Sequence, residues 1–254
     1  MRTGFLKLFF KDKPIVHTRV GLPENHKIYC IGDIHGRLDL LTEVHAKIAR
    51  DAATFEGVKT LVYLGDYIDR GMSSKSVVDC LLADPFPDFK KIYLLGNHEQ
   101  VLLQFLAGTS PSSANDWFKF GGLSTLVSYD VKIVGIPTEK DLDRIRQEFA
   151  EKLPPAHWEF FNGLSLFYET EDYYFVHAGI KPKIKLHQQH LEDQLWIRDE
   201  FLKSALFHGK IIVHGHTVTD EPEILPNRIG LDTGAYSSGK LTCAVFENSD
   251  CRIL

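Results

Sequence analysis

The stretch KIYCIGDIHG, from Lys27 to Gly36, decides the fold class of this 254-residue chain. It joins a short apolar run to a turn that carries Gly, Asp and His. Four later stretches repeat this arrangement: LVYLGDYIDRG from Leu61, KIYLLGNHE from Lys91, YYFVHAGI from Tyr173 and KIIVHGHT from Lys210. Short apolar runs that are rich in Ile, Val and Tyr and end at Gly are typical of buried strands. The sequence therefore predicts five strands that end in polar turns.

Helical patterns separate the first three of these strands. Apolar residues recur at helical spacing from Leu38 to Ile48, and similar apolar faces begin at Val77 and Val101. Alternating strands and helices predict right-handed crossovers and a parallel sheet in the first hundred residues. The strand-like runs after Leu195 have little helix between them, so we expect a mixed or antiparallel sheet in the back half. The predicted fold class is α/β.

Residues 105–170 break this alternation. Leu142, Ile145 and Phe149 lie at helical spacing, and Pro154 and Pro155 end that pattern. The region lacks the composition of an interdomain linker. We therefore predict a single domain over residues 27–254, with a helical insertion at about 105–170, preceded by an N-terminal arm over residues 1–26. No residue of the insertion is assigned a role.

Composition excludes several classes of protein. The hydrophobic fraction of 44% and the charged fraction of 25% are those of a soluble globular chain, and the net charge of −5 argues against a dedicated nucleic-acid binder. Cys30, Cys80, Cys243 and Cys251 contain no CxxC pair, which predicts free thiols in a reducing, cytoplasmic compartment. No run reaches the roughly 18 apolar residues of a membrane-spanning helix, so no integral membrane segment is expected.

The polar residues of the five turns follow the carboxyl ends of strands. In an open α/β sheet such positions converge on one crevice. The residues concerned are Asp33, His35, Asp66, Asp69, Asn97, His98, His177, His214 and His216. Imidazole and carboxylate together suit Mn²⁺, Fe²⁺ or Zn²⁺, and two such ions roughly 3.5–4 Å apart form the clamp of many phosphoryl-transfer enzymes. The absence of thiolates from this set disfavours a structural zinc site.

Five ordered blocks carry a resemblance to a known family: GDIHG, GDYIDRG, GNHE, VHAG and HGHT. In order and spacing they resemble the signature blocks of PPP-type serine/threonine protein phosphatases, within the calcineurin-like metallophosphoesterase superfamily. LWIRDEF from Leu195 and LDTGAYSSGKLT from Leu231 are similar to blocks of the bacterial and phage branch. The resemblance covers nearly the whole chain after residue 27. It implies a central β-sandwich of mixed sheets flanked by helices, in four αββα layers.

The resemblance also implies a set of metal ligands. Asp33 and His35 would hold a first ion and Asp66 would bridge both ions, while the second ion would be held by Asn97, His177 and His216. The two divalent ions are expected to be Mn, with Fe or Zn as alternatives. The block requires only one imidazole in HGHT, so His214 is interpreted as a strand-end histidine whose contact with the metals stays open.

Catalytic roles follow from the same resemblance. His98 would protonate the leaving group while Asp69 fixes its tautomer, because a carboxylate on one ring nitrogen leaves the other free to donate. Arg70 and Arg198 would bind the phosphoryl oxygens. A metal-bridging hydroxide would attack phosphorus directly.

The predicted function is metal-dependent phosphomonoester hydrolysis on phosphoserine or phosphothreonine proteins, with phosphotyrosine left open. Symmetrical diadenosine tetraphosphate hydrolases are the alternative within the family, together with other small-molecule phosphoesterases. Those hydrolases typically depart from the Asp-Arg pair, whereas this chain keeps Asp69 and Arg70 and has Met72 where their Pro would follow. A non-catalytic phosphoprotein-binding module is a third reading, disfavoured because all the expected ligands are present.

The expected partner is a phosphorylated protein substrate. No regulatory subunit is inferred, because a loop like the SAPNYC segment of eukaryotic members is absent. Two further motif-like stretches lack required residues. GAYSSGKL, from Gly234, has Leu241 where a P-loop needs Ser or Thr, and FGGLSTL, from Phe120, has Leu126 where a GxSxG nucleophile elbow needs Gly.

Overall fold

The structure is a computed structural model that describes residues 21–108 and 117–254. The strands are β1 (His26–Ile31), β2 (Val58–Tyr63), β3 (Lys90–Tyr93), β4 (Phe167–Glu169), β5 (Tyr173–Val176), β6 (Ile211–His214), β7 (Glu223–Ile224), β8 (Arg228–Gly230), β9 (Cys243–Glu247) and β10 (Asp250–Ile253). The helices are α1 (Leu38–Ala52), α2 (Ser74–Leu82), α3 (Asn97–Ala107), α4 (Gly122–Ser128), α5 (Leu142–Lys152), α6 (Pro155–Asn162), α7 (Leu191–Trp196), α8 (Asp199–Leu202) and α9 (Ala235–Ser238).

The first sheet has the strand order β10-β9-β1-β2-β3. β1, β2 and β3 are parallel and are joined through α1 and α2, as the first hundred residues predict. β9 lies antiparallel to β1, and β10 lies antiparallel to β9. The antiparallel pairing expected in the back half is present, but β9 and β10 join the first sheet. They cover the free edge of β1, whose side chains are buried on both faces.

The second sheet has the order β4-β5-β6-β8-β7 and is mixed, as expected. β5, β6 and β8 are parallel, and the edge strands β4 and β7 are antiparallel to their neighbours. The carboxyl ends of the parallel strands in both sheets carry the polar turns that the sequence singles out.

Alternation along the strands divides the core into layers. Tyr29 and Ile31 face the hydrophobic cluster that contains α1 and α2, whereas Ile28 and Cys30 face the second sheet. Phe175 of β5 packs with Ile28 and Cys30 in a second hydrophobic cluster, which lies between the two sheets. The outer face of the second sheet is covered by the segment that contains α7 and α8. This arrangement confirms the predicted α/β fold, with two mixed sheets flanked by helices.

The middle of the chain is helical where it is described. Trp117, Leu126 and Phe149 pack in the same hydrophobic cluster as α1 and α2, so the insertion shares their core. Most of the predicted arm over residues 1–26 falls on residues 1–20, which lie outside the described residues, and its last residue, His26, already belongs to β1. Among the described residues, no helix is both long and apolar enough to cross a membrane.

Candidate metal centre

The structure brings the predicted polar residues together at the carboxyl ends of the parallel strands. Turns after β1, β2, β3, β5 and β6 each contribute to one cluster. The following members of this cluster are all buried: Asp33, His35, Asp66, Asp69, Asn97, His98, His177 and His216. Eight polar side chains gathered away from solvent require partners that offset their desolvation.

Asp66 lies at the centre of the cluster. Its Oδ2 is 3.5 Å from His35 Nε2 and 3.8 Å from His98 Nε2, while its Oδ1 is 3.5 Å from His177 Nε2. Two groups of metal-ligand type share this residue: one joins it to His35 and His98, and the other joins it to His177 and His216. One carboxylate between two groups is the placement expected of a bridging ligand.

The second group closes around the side-chain oxygen of Asn97. Asn97 Oδ1 is 2.8 Å from His177 Nε2 and 2.9 Å from His216 Nδ1. His177 Nδ1 lies 2.8 Å from the carbonyl oxygen of Leu64, and a carbonyl only accepts, so Nδ1 carries the proton. With the amide oriented as in the structure, lone pairs of Nε2 and Oδ1 then face each other. A cation between them would turn this repulsion into coordination.

In the first group, too, an imidazole lone pair faces an oxygen atom. His35 Nδ1 donates to the carbonyl oxygen of Ile68 at 2.9 Å, which leaves the Nε2 lone pair facing Asp66. Burial lowers the pKa of His35 to about 3 and that of His216 to about 2, so both rings are uncharged at neutral pH. Burial raises the pKa of Asp66, but positive charge on its neighbours His177 and His98 outweighs burial and holds the pKa below its ordinary value. An ionised carboxylate beside the uncharged rings of His35 and His216 is a site for a cation.

Asp33 contributes a further carboxylate. Its Oδ2 accepts a hydrogen bond from the backbone N–H of His216 at 2.9 Å, and its buried Oδ1 has no partner among the described residues. The same holds for His216 Nε2. Unpartnered buried acceptors, carboxylates, imidazoles and one amide oxygen form a donor set that suits Mn²⁺, Fe²⁺ or Zn²⁺. The predicted residues therefore fit a two-metal centre.

Sequence reasoning missed a further buried carboxylate, Asp232, which lies in the quoted block LDTGAYSSGKLT. It is buried, and its Oδ1 accepts a hydrogen bond from the backbone N–H of Gly234 at 2.9 Å. Burial raises the pKa of Asp232 to about 6, and burial together with the charges of Asp232 and Asp66 raises the pKa of Asp33. Asp232 thus adds to the buried negative charge of Asp33 and Asp66, which strengthens the argument for divalent cations.

Asp69 forms a close pair with His98, which is also a member of the first ligand group. His98 Nδ1 donates to Asp69 Oδ2 at 2.6 Å, and both side chains are buried. Burial lowers the pKa of His98, but the charge of Asp66 and the hydrogen bond to Asp69 outweigh burial and raise it. His98 Nε2 faces away from Asp69 and lies 3.8 Å from Asp66 Oδ2.

The two predicted arginines flank the buried ligands. Arg70 is half-buried, its guanidinium lies 4.3 Å from the centre of the Tyr236 ring, and its Nη2 is 3.4 Å from His98 Nε2. Arg198 is exposed and donates through Nη1 to the backbone oxygen of His216 at 3.3 Å and to Thr217 Oγ1 at 3.2 Å. Each of the two arginines therefore contacts a residue of the cluster, Arg70 through His98 and Arg198 through His216.

His214 lies outside both ligand groups. Its ring packs edge-on against Phe201 with the ring centres 5.1 Å apart, and its Nδ1 lies 3.1 Å from the backbone oxygen of Gly215. Burial lowers the pKa of His214 to about 4. These contacts agree with the interpretation of His214 as a strand-end histidine.

The turns that carry the site have unusual backbone conformations. Positive φ angles occur at His35 (47°), Asp66 (52°), Asp69 (70°), Arg70 (67°) and His216 (62°). Residues with side chains adopt this left-handed region at a cost of about 1–3 kcal/mol each. The surrounding fold imposes these conformations, and they point the side chains into the cluster.

Glu99 stabilises the turn after β2 through hydrogen bonds to its backbone. Its carboxylate accepts hydrogen bonds from four backbone N–H groups, those of Asp66, Tyr67, Ile68 and Gly96, at 2.8 to 3.3 Å. The glutamate of GNHE thus ties the start of α3 to the turn that holds Asp66. Sequence reasoning did not assign this role to Glu99, although the quoted GNHE block contains it.

Comparisons with known proteins identify relatives of this chain. The asymmetrical bis(5'-nucleosyl)-tetraphosphatase PrpE of Anoxybacillus flavithermus is 28% identical over 232 residues, which cover 84% of this chain and 87% of that protein. Among solved structures, the crystal structure of "a putative diadenosine tetraphosphatase" has a TM-score of 0.58 at 21% identity and covers 92% of this chain and 96% of its own. A cold-active protein-tyrosine phosphatase of a psychrophilic Shewanella has a TM-score of 0.57 at 16% identity, covering 93% and 83%.

At such identities the two structures establish the fold alone. The model of the calcineurin-like phosphoesterase family matches residues 26–247, which span every strand and turn of the candidate site. With its two ligand groups around Asp66, the chain belongs to the calcineurin-like phosphoesterase family.

Proposed function

We propose that this phosphoesterase hydrolyses phosphomonoesters of serine and threonine in proteins, the activity of the PPP-type phosphatases that its sequence blocks resemble. The observation that carries the proposal is the buried Asp69–His98 pair, joined at 2.6 Å beside the metal ligands. A serine or threonine leaving group is an alkoxide, which is a strong base and needs a proton as it departs. The pair is suited to supply that proton.

Each residue of the site has a proposed task. Asp33 and His35 would hold one ion, Asn97, His177 and His216 would hold the other, and Asp66 would bridge them. When bound, the two ions would offset phosphoryl charge and lower the pKa of water in the site. We propose Mn as the resident metal because the ligands combine carboxylate, amide oxygen and imidazole without thiolate.

The remaining steps belong to side chains. Arg70 and Arg198 would bind the non-bridging phosphoryl oxygens through charge-assisted hydrogen bonds and fix the orientation of the ester. His98 would then donate its proton through Nε2 to the departing oxygen. Asp69 would hold the Nδ1 proton, which fixes the tautomer and stabilises the charged ring before transfer.

A second candidate is the hydrolysis of bis(5'-nucleosyl) polyphosphates, which the name of the relative from Anoxybacillus flavithermus favours. Two exposed aromatic side chains, Tyr236 beside Arg70 and Phe120 beside His98, offer faces on which a nucleobase could stack. The leaving group from an anhydride is a weakly basic phosphate oxygen. Its departure would depend less on the Asp69–His98 pair than that of an alkoxide.

The cellular compartment and the class of partner are also proposals. All four cysteines are free, with Cys30 and Cys243 buried, which supports the proposed cytoplasmic compartment. The net charge of −5 supports a protein or small-molecule partner over a nucleic acid.

The deciding experiment compares kcat/KM for a phosphoseryl peptide with that for diadenosine tetraphosphate. The purified chain is assayed with Mn²⁺ and again with excess EDTA, and a His98→Asn variant serves as the matched control. We expect metal-dependent hydrolysis with the higher kcat/KM on the peptide. A preference for the dinucleotide of tenfold or more would assign the second function instead. Absence of metal-dependent turnover on both substrates in a folded sample would contradict both.

A further inference from the structure

The carboxylate of Asp69 is held by two donors besides His98. Trp117 Nε1 donates to Asp69 Oδ2 at 2.8 Å, and Thr125 Oγ1 donates to Asp69 Oδ1 at 2.6 Å. The backbone N–H of Asp69 is 2.9 Å from Thr125 Oγ1 and 3.1 Å from Ser74 Oγ. Each carboxylate oxygen therefore has a donor that does not belong to the catalytic pair.

Both donors come from the insertion at about 105–170. The side chains of Trp117 and Thr125 are fully buried, and they lie 48 and 56 residues along the chain from Asp69. The same segment also touches the neighbouring residues. The backbone oxygen of Gly121 accepts a hydrogen bond from the backbone N–H of Arg70 at 3.3 Å, and the Phe120 ring lies 6.1 Å from the His98 ring.

We propose that Trp117 and Thr125 are positioning residues for proton donation, so that the insertion completes the acid half of the site. This inference rests on the proposed function of the Asp69–His98 pair. The two donors fix the carboxylate from opposite oxygens, which sets its plane and keeps Oδ2 within bonding distance of His98 Nδ1. Neither residue touches the substrate; each acts on His98 through Asp69.

The chemistry of the leaving group separates positioning from a general structural role. A misplaced His98 slows the departure of an alkoxide, because that oxygen needs a proton, but hardly affects a dinitrophenolate, which leaves as a stable anion. Damage to the metal ligands or to the fold would instead lower the rates for both leaving groups together. The ratio of the two rates therefore reports on proton donation.

The experiment measures kcat with Mn²⁺ on glycerol phosphate and on 2,4-dinitrophenyl phosphate. Trp117→Phe removes the Nε1 donor and keeps an aromatic ring, while Thr125→Val removes the hydroxyl at nearly constant volume. Thr125→Ser keeps the hydroxyl, Trp158→Phe changes a partly exposed tryptophan on α6, and His98→Asn removes the acid. Bound metal and the melting temperature are measured for every variant.

General acids contribute about 10²–10⁴ in rate, so the loss of one positioning donor should lower kcat on glycerol phosphate about 10-fold. We expect Trp117→Phe and Thr125→Val to show that loss, with a change of less than about twofold on 2,4-dinitrophenyl phosphate and with metal content retained. Thr125→Ser should restore most of the rate on glycerol phosphate. Trp158→Phe should match the unmodified chain on both substrates.

Two results would overturn the inference in distinguishable ways. If His98→Asn is selective for the alkyl ester but Trp117→Phe and Thr125→Val are not, the positioning role is wrong and the proposed acid stands. If His98→Asn itself lowers both rates equally, the assignment of the acid fails, and the positioning role fails with it. If Trp117→Phe does not fold, Thr125→Val and its serine counterpart decide the question alone.

Discussion

The substitution Gly96→Ala tests how closely the GNHE turn fits against Asp66. A Cβ atom on Gly96 would lie 2.1 Å from Asp66 Oδ1, 2.4 Å from the backbone nitrogen of Asp66 and 2.6 Å from Glu99 Oε2. Real Cβ contacts essentially never fall below 3.0 Å, so at least one partner must move by close to 1 Å. Hydrogen bonds hold both side chains in place: Asp66 Oδ1 accepts one from the backbone N–H of His98, and the Glu99 carboxylate accepts four from backbone N–H groups.

Asp66 is shared by both ligand groups, so its displacement affects both proposed ions. A misplacement of about 1 Å in a catalytic constellation costs roughly 10²-fold in rate, and overpacking costs about 1–3 kcal/mol in stability. We therefore expect kcat/KM for p-nitrophenyl phosphate with Mn²⁺ to fall about 100-fold. Bound Mn²⁺ should fall below that of the unmodified chain when measured on the same samples.

Gly163→Ala is the matched control. Gly163 ends α6 with a φ of −88°, and an added Cβ would approach no atom closer than 3.1 Å. Its rate and metal content should stay within about twofold of the unmodified chain. If Gly96→Ala keeps full activity and full metal content, the close approach described for the turn is not a constraint on the site.

Four further outcomes are expected. Removal of metal with EDTA should lower the melting temperature by about 10–20 °C relative to a sample with Mn²⁺ at 100 times its dissociation constant. At that concentration each of the two sites contributes about 2.7 kcal/mol to the free energy of unfolding. An unchanged melting temperature would argue against a buried two-metal centre. Arg70→Ala should raise the inhibition constant of inorganic phosphate about tenfold through the loss of a charge-assisted hydrogen bond, whereas an unaltered constant would place Arg70 outside the phosphate site. Glu99→Gln should lower the free energy of unfolding in urea by about 2–3 kcal/mol, because the NH₂ group of glutamine would face backbone N–H groups that need an acceptor. An unchanged free energy of unfolding would contradict the role given to Glu99. Burial lowers the pKa of His45 to about 4. Between pH 7 and pH 5 the His45 ring therefore takes up a proton only in the unfolded chain, and the free energy of unfolding falls by about 2 kcal/mol as the pH is lowered. A His45→Gln variant with the same pH dependence would refute this.

Much of the fold was predictable because it is encoded locally. The apolar run before Gly32 becomes β1, and the helical spacing from Leu38 to Ile48 becomes α1. Which sheet a strand joins is not local information. The run LTCAVF alternates in a way that suits either sheet, and only the free edge of β1 determines that β9 pairs there.

The site shows the same division. Asp33, His35 and Asp66 could be found because each follows a strand directly, and parallel strands bring such positions to one edge. Trp117 carried no such signal, because a tryptophan among apolar residues is typical of a core. FGGLSTL resembles an incomplete nucleophile motif, and nothing in that pattern indicates that the Thr125 hydroxyl donates to Asp69 Oδ1.

The left-handed backbone at Asp66, Asp69 and His216 has a consequence for how variants of this chain would be selected. Glycine and asparagine relax such conformations at little steric cost, so replacing these residues would relieve strain while removing the chemistry. A thermostability screen that ignored turnover would thus enrich inactive chains at these positions. Variants of this chain should therefore be selected for thermal stability and for turnover together, because the two properties oppose each other at these residues.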